Sequence, residues 1–168
     1  QLEMQSKYIE DKRKYEDKVR LKKLCENASI IRLDICTALF QSIRTIVNLN
    51  SGDERDIYPI PVNGSYSLAV ASLEGKFDLR EMSYIYQLYG IIEKLNNDIK
   101  NFKYRIEEYD MIKKDYELFL RKLYGERYTE VFRIDIEKVS YSELYDNDII
   151  KEGYKKVFEK LDEICFRK

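Results

Sequence analysis

Apolar side chains recur three and four residues apart through most of this chain, and the breaks in that rhythm divide it. Between Glu3 and about Asn48 there is no Gly or Pro, and Leu21, Leu24, Ala28, Ile31, Ile35, Leu39, Ile43 and Ile46 fall on one helical face. The first half of this helix sets Met4, Tyr8, Tyr15 and Val19 among Lys, Arg, Asp and Glu, so it is expected to be helical but thinly buried. Asn50, Ser51, Gly52 and Asp53 end the helix. Tyr58-Pro59-Ile60-Pro61 then imposes extended backbone, because each proline fixes its own φ and restricts its predecessor.

Ser65 is placed to cap a short helix through Leu73 that Gly75 terminates, and Asp78 with Glu81 spells a capping box. From there Ile85, Leu88, Ile92, Leu95, Ile99, Phe102, Ile106 and Tyr109 form a heptad seam. The pattern resumes one residue early at Ile112, Tyr116, Phe119 and Leu123, which predicts overwinding or a kink near Asp110 and a stop at Gly125. Residues 126–141 are ambiguous, since Phe132, Ile134 and Ile136 alternate like a strand but have no convincing strand partner. Ile150, Tyr154, Val157, Leu161 and Ile164 mark a last helix near Asp148 to Phe166.

These elements predict an all-α fold: an elongated antiparallel helical bundle of two long helices, a proline-containing connector with a short helix, and a C-terminal helix folding back over the seam. The long helices, near residues 3–48 and 78–124, would each run about 70 Å at about 1.5 Å per residue. The 168 residues fit a single helical domain, with 50–77 as connector and 126–147 as an irregular link. Charged residues at 36%, hydrophobic ones at 44%, and only 6 Gly and 2 Pro favour long amphipathic helices over a sandwich.

A formal net charge of -1 provides no global field toward nucleic acid, and no nucleic-acid partner is expected. No apolar stretch approaches the roughly 20 residues that span a bilayer. Cys25, Cys36 and Cys165 are odd in number, and the first two stand about 16 Å apart on one helix, too far for a disulfide. Buried, reduced thiols and a cytoplasmic location are the inference.

Leu33-Asp34-Ile35, Tyr58-Pro59-Ile60-Pro61, Gly75-Lys76-Phe77 and the run from Tyr86 to Asn96 together resemble small bacterial and prophage proteins of unassigned function. The likeness covers about residues 20–105. It implies a helical domain behind an N-terminal membrane helix, and it brings no catalytic residues.

The absence of histidine removes His-based triads, general bases and metal ligands. The six glycines are scattered singly, so no phosphate-cradling loop is present and no cofactor is expected. Glu107, Glu108, Asp110, Asp115 and Glu117 could gather a divalent metal, but Lys113, Lys114 and Arg121 are interleaved with them as on a solvated helix face. An enzyme built on carboxylates alone is therefore the alternative reading, and a phage-related nucleic-acid contact through the lysines after Lys138 is a third.

Two segments are candidate contact sites. Ile57, Tyr58, Pro59, Ile60 and Pro61, preceded by Asp56, form a stiff apolar loop that either caps the bundle end or meets a partner. Lys12, Arg13, Lys14, Lys18, Arg20, Lys22 and Lys23 outnumber Glu16 and Asp17 in a stretch poor in core residues, as in the membrane-proximal stalk of a longer protein. The leading expectation is a non-enzymatic interaction or scaffolding module, binding another protein or itself, on the cytoplasmic side of a membrane.

Overall fold

The computed structural model describes residues 1–53 and 57–166 of the chain; Asp56 lies outside them. The elements are α1 (Leu2–Asn50), α2 (Tyr66–Ala71), α3 (Leu79–Lys100), α4 (Ile106–Tyr124), a 3-10 stretch (Gly125–Arg133), α5 (Tyr141–Tyr145) and α6 (Glu152–Phe166). Among the described residues there is no strand, so the all-α bundle expected from the hydrophobic rhythm is what forms.

α1 is a single helix because nothing in it breaks the ladder until Ser51 and Gly52, where φ turns to +84°. Its second half is the mast of the bundle: Ile31, Ile35, Leu39, Ile43 and Ile46 are fully buried. Residues 1–23, by contrast, are all exposed, so about 35 Å of helix projects from the body as an arm.

The second long helix is two helices, which corrects the expected continuous 78–124 element. α3 opens on the capping box foreseen in the sequence, with the Glu81 amide donating to Asp78 Oδ1 at 2.8 Å and the Asp78 amide to Glu81 Oε1 at 3.1 Å. It stops at Lys100, and the chain reverses through Asn101 to Arg105, with Tyr104 in the left-handed region at φ +61°. Glu108 Oε2 accepts the Lys103 amide at 2.5 Å and so fastens the turn to the start of α4. Asn97, Asn101 and the acidic first turn of α4 supply the local chemistry of a helix end and a new beginning.

α3 and α4 therefore lie as an antiparallel hairpin, and α4 also runs antiparallel to α1: Tyr116 approaches Gln41 and Thr45, and Tyr124 approaches Cys36. Ile85, Leu88, Ile92 and Leu95 of α3 meet Ile112, Tyr116, Phe119 and Leu123 of α4 in the same core as the α1 mast, all fully buried. Each such side chain contributes about 1.5–3 kcal/mol by leaving water.

The ambiguous 126–141 stretch forms the 3-10 turns and an irregular link rather than a strand, with Val131 as its buried anchor. Asn147 Oδ1 then accepts the amides of Ile149 and Ile150, and α6 begins at Glu152, later than expected. α6 folds back antiparallel to α1, as the pairing of Arg32 with Asp162 at 2.9 Å and of Cys25 with Cys165 requires.

That last contact overturns the reading of three reduced cysteines. Cys25 and Cys165 are joined by a disulfide, and only Cys36 remains a buried thiol. Spacing along one helix excluded Cys25 with Cys36 correctly, but the return of α6 sets Cys165 opposite Cys25, a proximity that no local pattern encodes.

Candidate functional site

The arm is exposed along the whole of residues 1–23. On it Met4, Tyr8, Tyr15 and Val19 are 77%, 69%, 69% and 50% exposed, although each is apolar or aromatic. Lys12, Arg13, Lys14, Lys18, Arg20, Lys22 and Lys23 are all exposed too. Consecutive residues are turned by about 100°, so these cations encircle the helix instead of sharing one face. Part of their charge is spent locally, on Lys14 with Glu10 at 3.2 Å, Arg20 with Asp17 at 3.6 Å and Lys23 with Glu26 at 3.8 Å, pairs worth little in water. Because α1 is unbroken, Lys12 stands about 16 Å along the axis from Gln1, further than a Debye length.

The proline loop is largely tied to the body. Ile60 is buried, and Asn96 holds its backbone from both sides, accepting the Ile60 amide at 2.7 Å and donating to its carbonyl at 2.9 Å. The Tyr58 carbonyl accepts Gln41 Nε2 at 2.6 Å and the Tyr116 hydroxyl at 3.3 Å. Ile57 is half-buried, while the side chains of Tyr58, Pro59 and Pro61 face outward. This segment thus caps the bundle and still shows an outer edge.

The carboxylates proposed for a metal do not converge. Asp110 pairs on the surface with Lys114 at 2.9 Å, Glu107 is exposed, and among the described residues no group of acids or cysteines could hold an ion. Asp115 is the exception in burial: Lys94 Nζ donates to it at 2.6 Å and to Asp98 at 2.9 Å. Burial and the neighbouring Asp98 push the Asp115 carboxyl up to about 6, while contact with Asp115 and Lys94 holds Asp98 below the usual range. Both carboxyls thus meet the Lys94 ammonium across the α3–α4 hairpin. Neither lines the hollow between α1 and the link after the 3-10 turns, nor the one beside Cys25 and Cys165.

Sequence reasoning missed a second polar network. Asp34 Oδ2 accepts the Tyr89 hydroxyl at 2.7 Å inside the core, and the Asn63 amide lies 3.2 and 3.3 Å from its two oxygens. Tyr66 stacks on Tyr89 at 4.0 Å and donates to Glu93. The signal was available: an acid beside Ile31 and Ile35 on a core-facing helix needs a buried partner. Glu81 likewise accepts Lys160 Nζ at 2.6 Å, linking α3 to α6.

A hollow of about 510 Å³ lies between α1 and the link after the 3-10 turns, lined by Phe40, Gln41, Arg44, Ile136, Ser140 and Tyr141. Its cation, Arg44, is engaged by Glu137 at 3.0 Å. No protein-family model, curated protein or solved structure matches this chain.

Proposed function

We propose that this chain is a non-enzymatic helical module that engages another protein, or a second copy of itself, through the arm of α1. The observation that carries this reading is the exposure of every residue from 1 to 23 on a helix continuous with the core. A rigid element that buries nothing in its own chain, yet displays Met4, Tyr8, Tyr15 and Val19, is suited to contact and ill-suited to chemistry. Recovery of bound proteins from producing cells tests it, comparing the native chain with one in which those four side chains are serine. Loss of the bound protein, with helicity and melting temperature unchanged, is expected; full retention rejects the arm as the contact element.

A spacer beside a membrane is the second reading, favoured by the ring of basic residues from Lys12 to Lys23 and by the likeness to membrane-anchored helical proteins. No helix among the described residues is long and apolar enough to cross a membrane. The Cys25–Cys165 disulfide draws this reading away from a cytoplasmic face and toward a compartment that does not reduce thiols. Binding to phosphatidylserine vesicles that vanishes when those seven side chains are made neutral supports the spacer; equal binding by the neutralised chain rejects it.

A further inference from the structure

Among the described residues, nothing covers the arm's apolar stripe, whose side chains are all exposed. At about 100° per residue, Met4, Tyr8, Tyr15 and Val19 fall within about 60° of one another on α1. Ile31 and Ile35, which face the core, lie about 120° or more from that stripe, and Cys25, where α6 meets α1, lies about 60° from Met4 at its edge. The stripe also carries Asp11 and Lys22. Its occupant must therefore match charges as well as apolar groups.

The arm is its own complement when two copies run antiparallel. Building on the reading of the arm as the contact element, we infer that this chain dimerises by antiparallel pairing of its arms about a two-fold axis at Tyr15. In that register Tyr15 faces its symmetry mate, and Tyr8 lies over the aliphatic stem of the partner's Lys22, an arrangement that also offers cation–π attraction. Helical geometry sets Asp11 on the same flank as the partner's Lys18, within about 1.5 Å in height, and Lys12 on the other flank within about 3 Å of the level of the partner's Glu16. The arm's tip, with Leu2 and Met4, reaches the level of the partner's Glu26. Beside that position is an apolar hollow of about 760 Å³ lined by Leu21, Cys25, Ile30, Ile164 and Cys165.

A parallel pair does the opposite, since it sets Asp11 against Asp11 and Lys22 against Lys22 in the seam. The antiparallel register leaves one notable like-charged neighbour, Lys7 with the partner's Lys22. That flaw provides the sharpest test, because reversing it strengthens the assembly instead of breaking it.

Sedimentation equilibrium of the intact, oxidised chain across a wide concentration range reads the association. Lys7→Glu should tighten the dimer several-fold, two symmetric repulsions becoming attractions of ordinary surface strength. Asp11→Lys should weaken it by a similar factor, and Asp11→Lys with Lys18→Asp should restore it. Tyr15→Asp should abolish it, with far-UV helicity retained in every variant. A monomer at all concentrations overturns the inference, as does a dimer indifferent to these charges, which would place the contact elsewhere or make it parallel. Phosphatidylserine vesicles bound by a chain that stays monomeric likewise overturn it, in favour of a membrane contact. The broader reading of the arm fails separately, only if a monomeric chain also keeps its bound proteins after the four stripe residues are made serine.

Discussion

Asp34 is an acid in a position that hydrophobic periodicity assigns to the core, and its partners explain why it is tolerated there. The carboxylate receives the Tyr89 hydroxyl and lies against the Asn63 amide, tying α1 to α3 and to the end of the proline loop at one point. Asp34→Ala leaves a buried hydroxyl and an amide without an acceptor, and urea unfolding should show a loss of about 3 kcal/mol; Tyr89→Phe, which removes only one donor, should cost about half of that. A loss below experimental error for Asp34→Ala would mean that water replaces the carboxylate. Asp115 behaves differently because its burial opposes its charge. Its pKa in the folded chain, about 6, is raised above the model-compound value of 3.8, so its proton stabilises the fold fully below the unfolded value and that stabilisation is lost as pH rises through about 6. Asp98 is shifted the other way, so its contribution is present above its unfolded value and is lost as pH falls. Asp115→Asn removes the first effect and leaves Asp98 its Lys94 contact and an amide donor in place of the Asp115 carboxyl. Its urea midpoint should match the native chain at pH 4 and exceed it at pH 8; a variant weaker at pH 8 would show that the Lys94 contact outweighs burial.

At the scale of elements, the hairpin of α3 and α4 is where periodicity and topology part company. The expected seam is buried from Ile85 to Ile99 and again from Ile112, but breaks at the reversal, where Ile106 is 88% exposed; two helices that fold back on each other can bury most of the stripe that one straight helix would present. Apolar spacing therefore reported the buried face of α3 and that of α4 from Ile112 on, misplaced Ile106 in the seam, and was silent about the turn. The turn was written in the polar residues instead: Asn96 and Asn97 before it, Asn101 at the helix end, Glu107 and Glu108 in the following first turn. Where a boundary depended on a single residue with a backbone preference, as at Gly52 and Gly125, it was legible. At Ser65 the boundary was legible too, since that residue is the N-cap of α2, although its side chain makes no cap bond. The seam itself gives a direct test. Leu95 is fully buried, so Leu95→Asp should lower stability by more than about 3 kcal/mol, whereas Glu107→Gln on the exposed face of α4 should change it by less than about 0.5 kcal/mol. Equal melting temperatures for Leu95→Asp and the native chain would mean that α3 faces water there.

For the whole molecule, the decisive relation is between a projecting helix and a body closed by its own C-terminal element. The exposure of residues 1–23 was legible because charge crowded out core positions there. The return of the last helix was expected from its apolar face, but its covalent link was not legible, since Cys25 and Cys165 are separated by 140 positions. α6 is held to α1 by the Cys25–Cys165 disulfide at its end, by Arg32 with Asp162 further in, and by Tyr154, Val157, Phe158 and Leu161 in the core. Tyr145 also donates to Asp162, so α5 is fastened to the same acid. Two consequences separate the covalent link from the packing. Closing so long a loop restricts the unfolded chain, so reduction by a dithiol, or Cys165→Ser, should lower stability by about 2–4 kcal/mol. The folded body should nonetheless persist, because the buried face of α6 does not depend on the sulfurs. Urea titrations with and without reductant read the first consequence, and amide hydrogen exchange reads the second: protection should fall in the last turn of α6 around Ile164 and near Cys25, and stay high at Val157 and Leu161. Uniform loss of protection along α6 on reduction would show that the disulfide, and not the core, holds this helix in place.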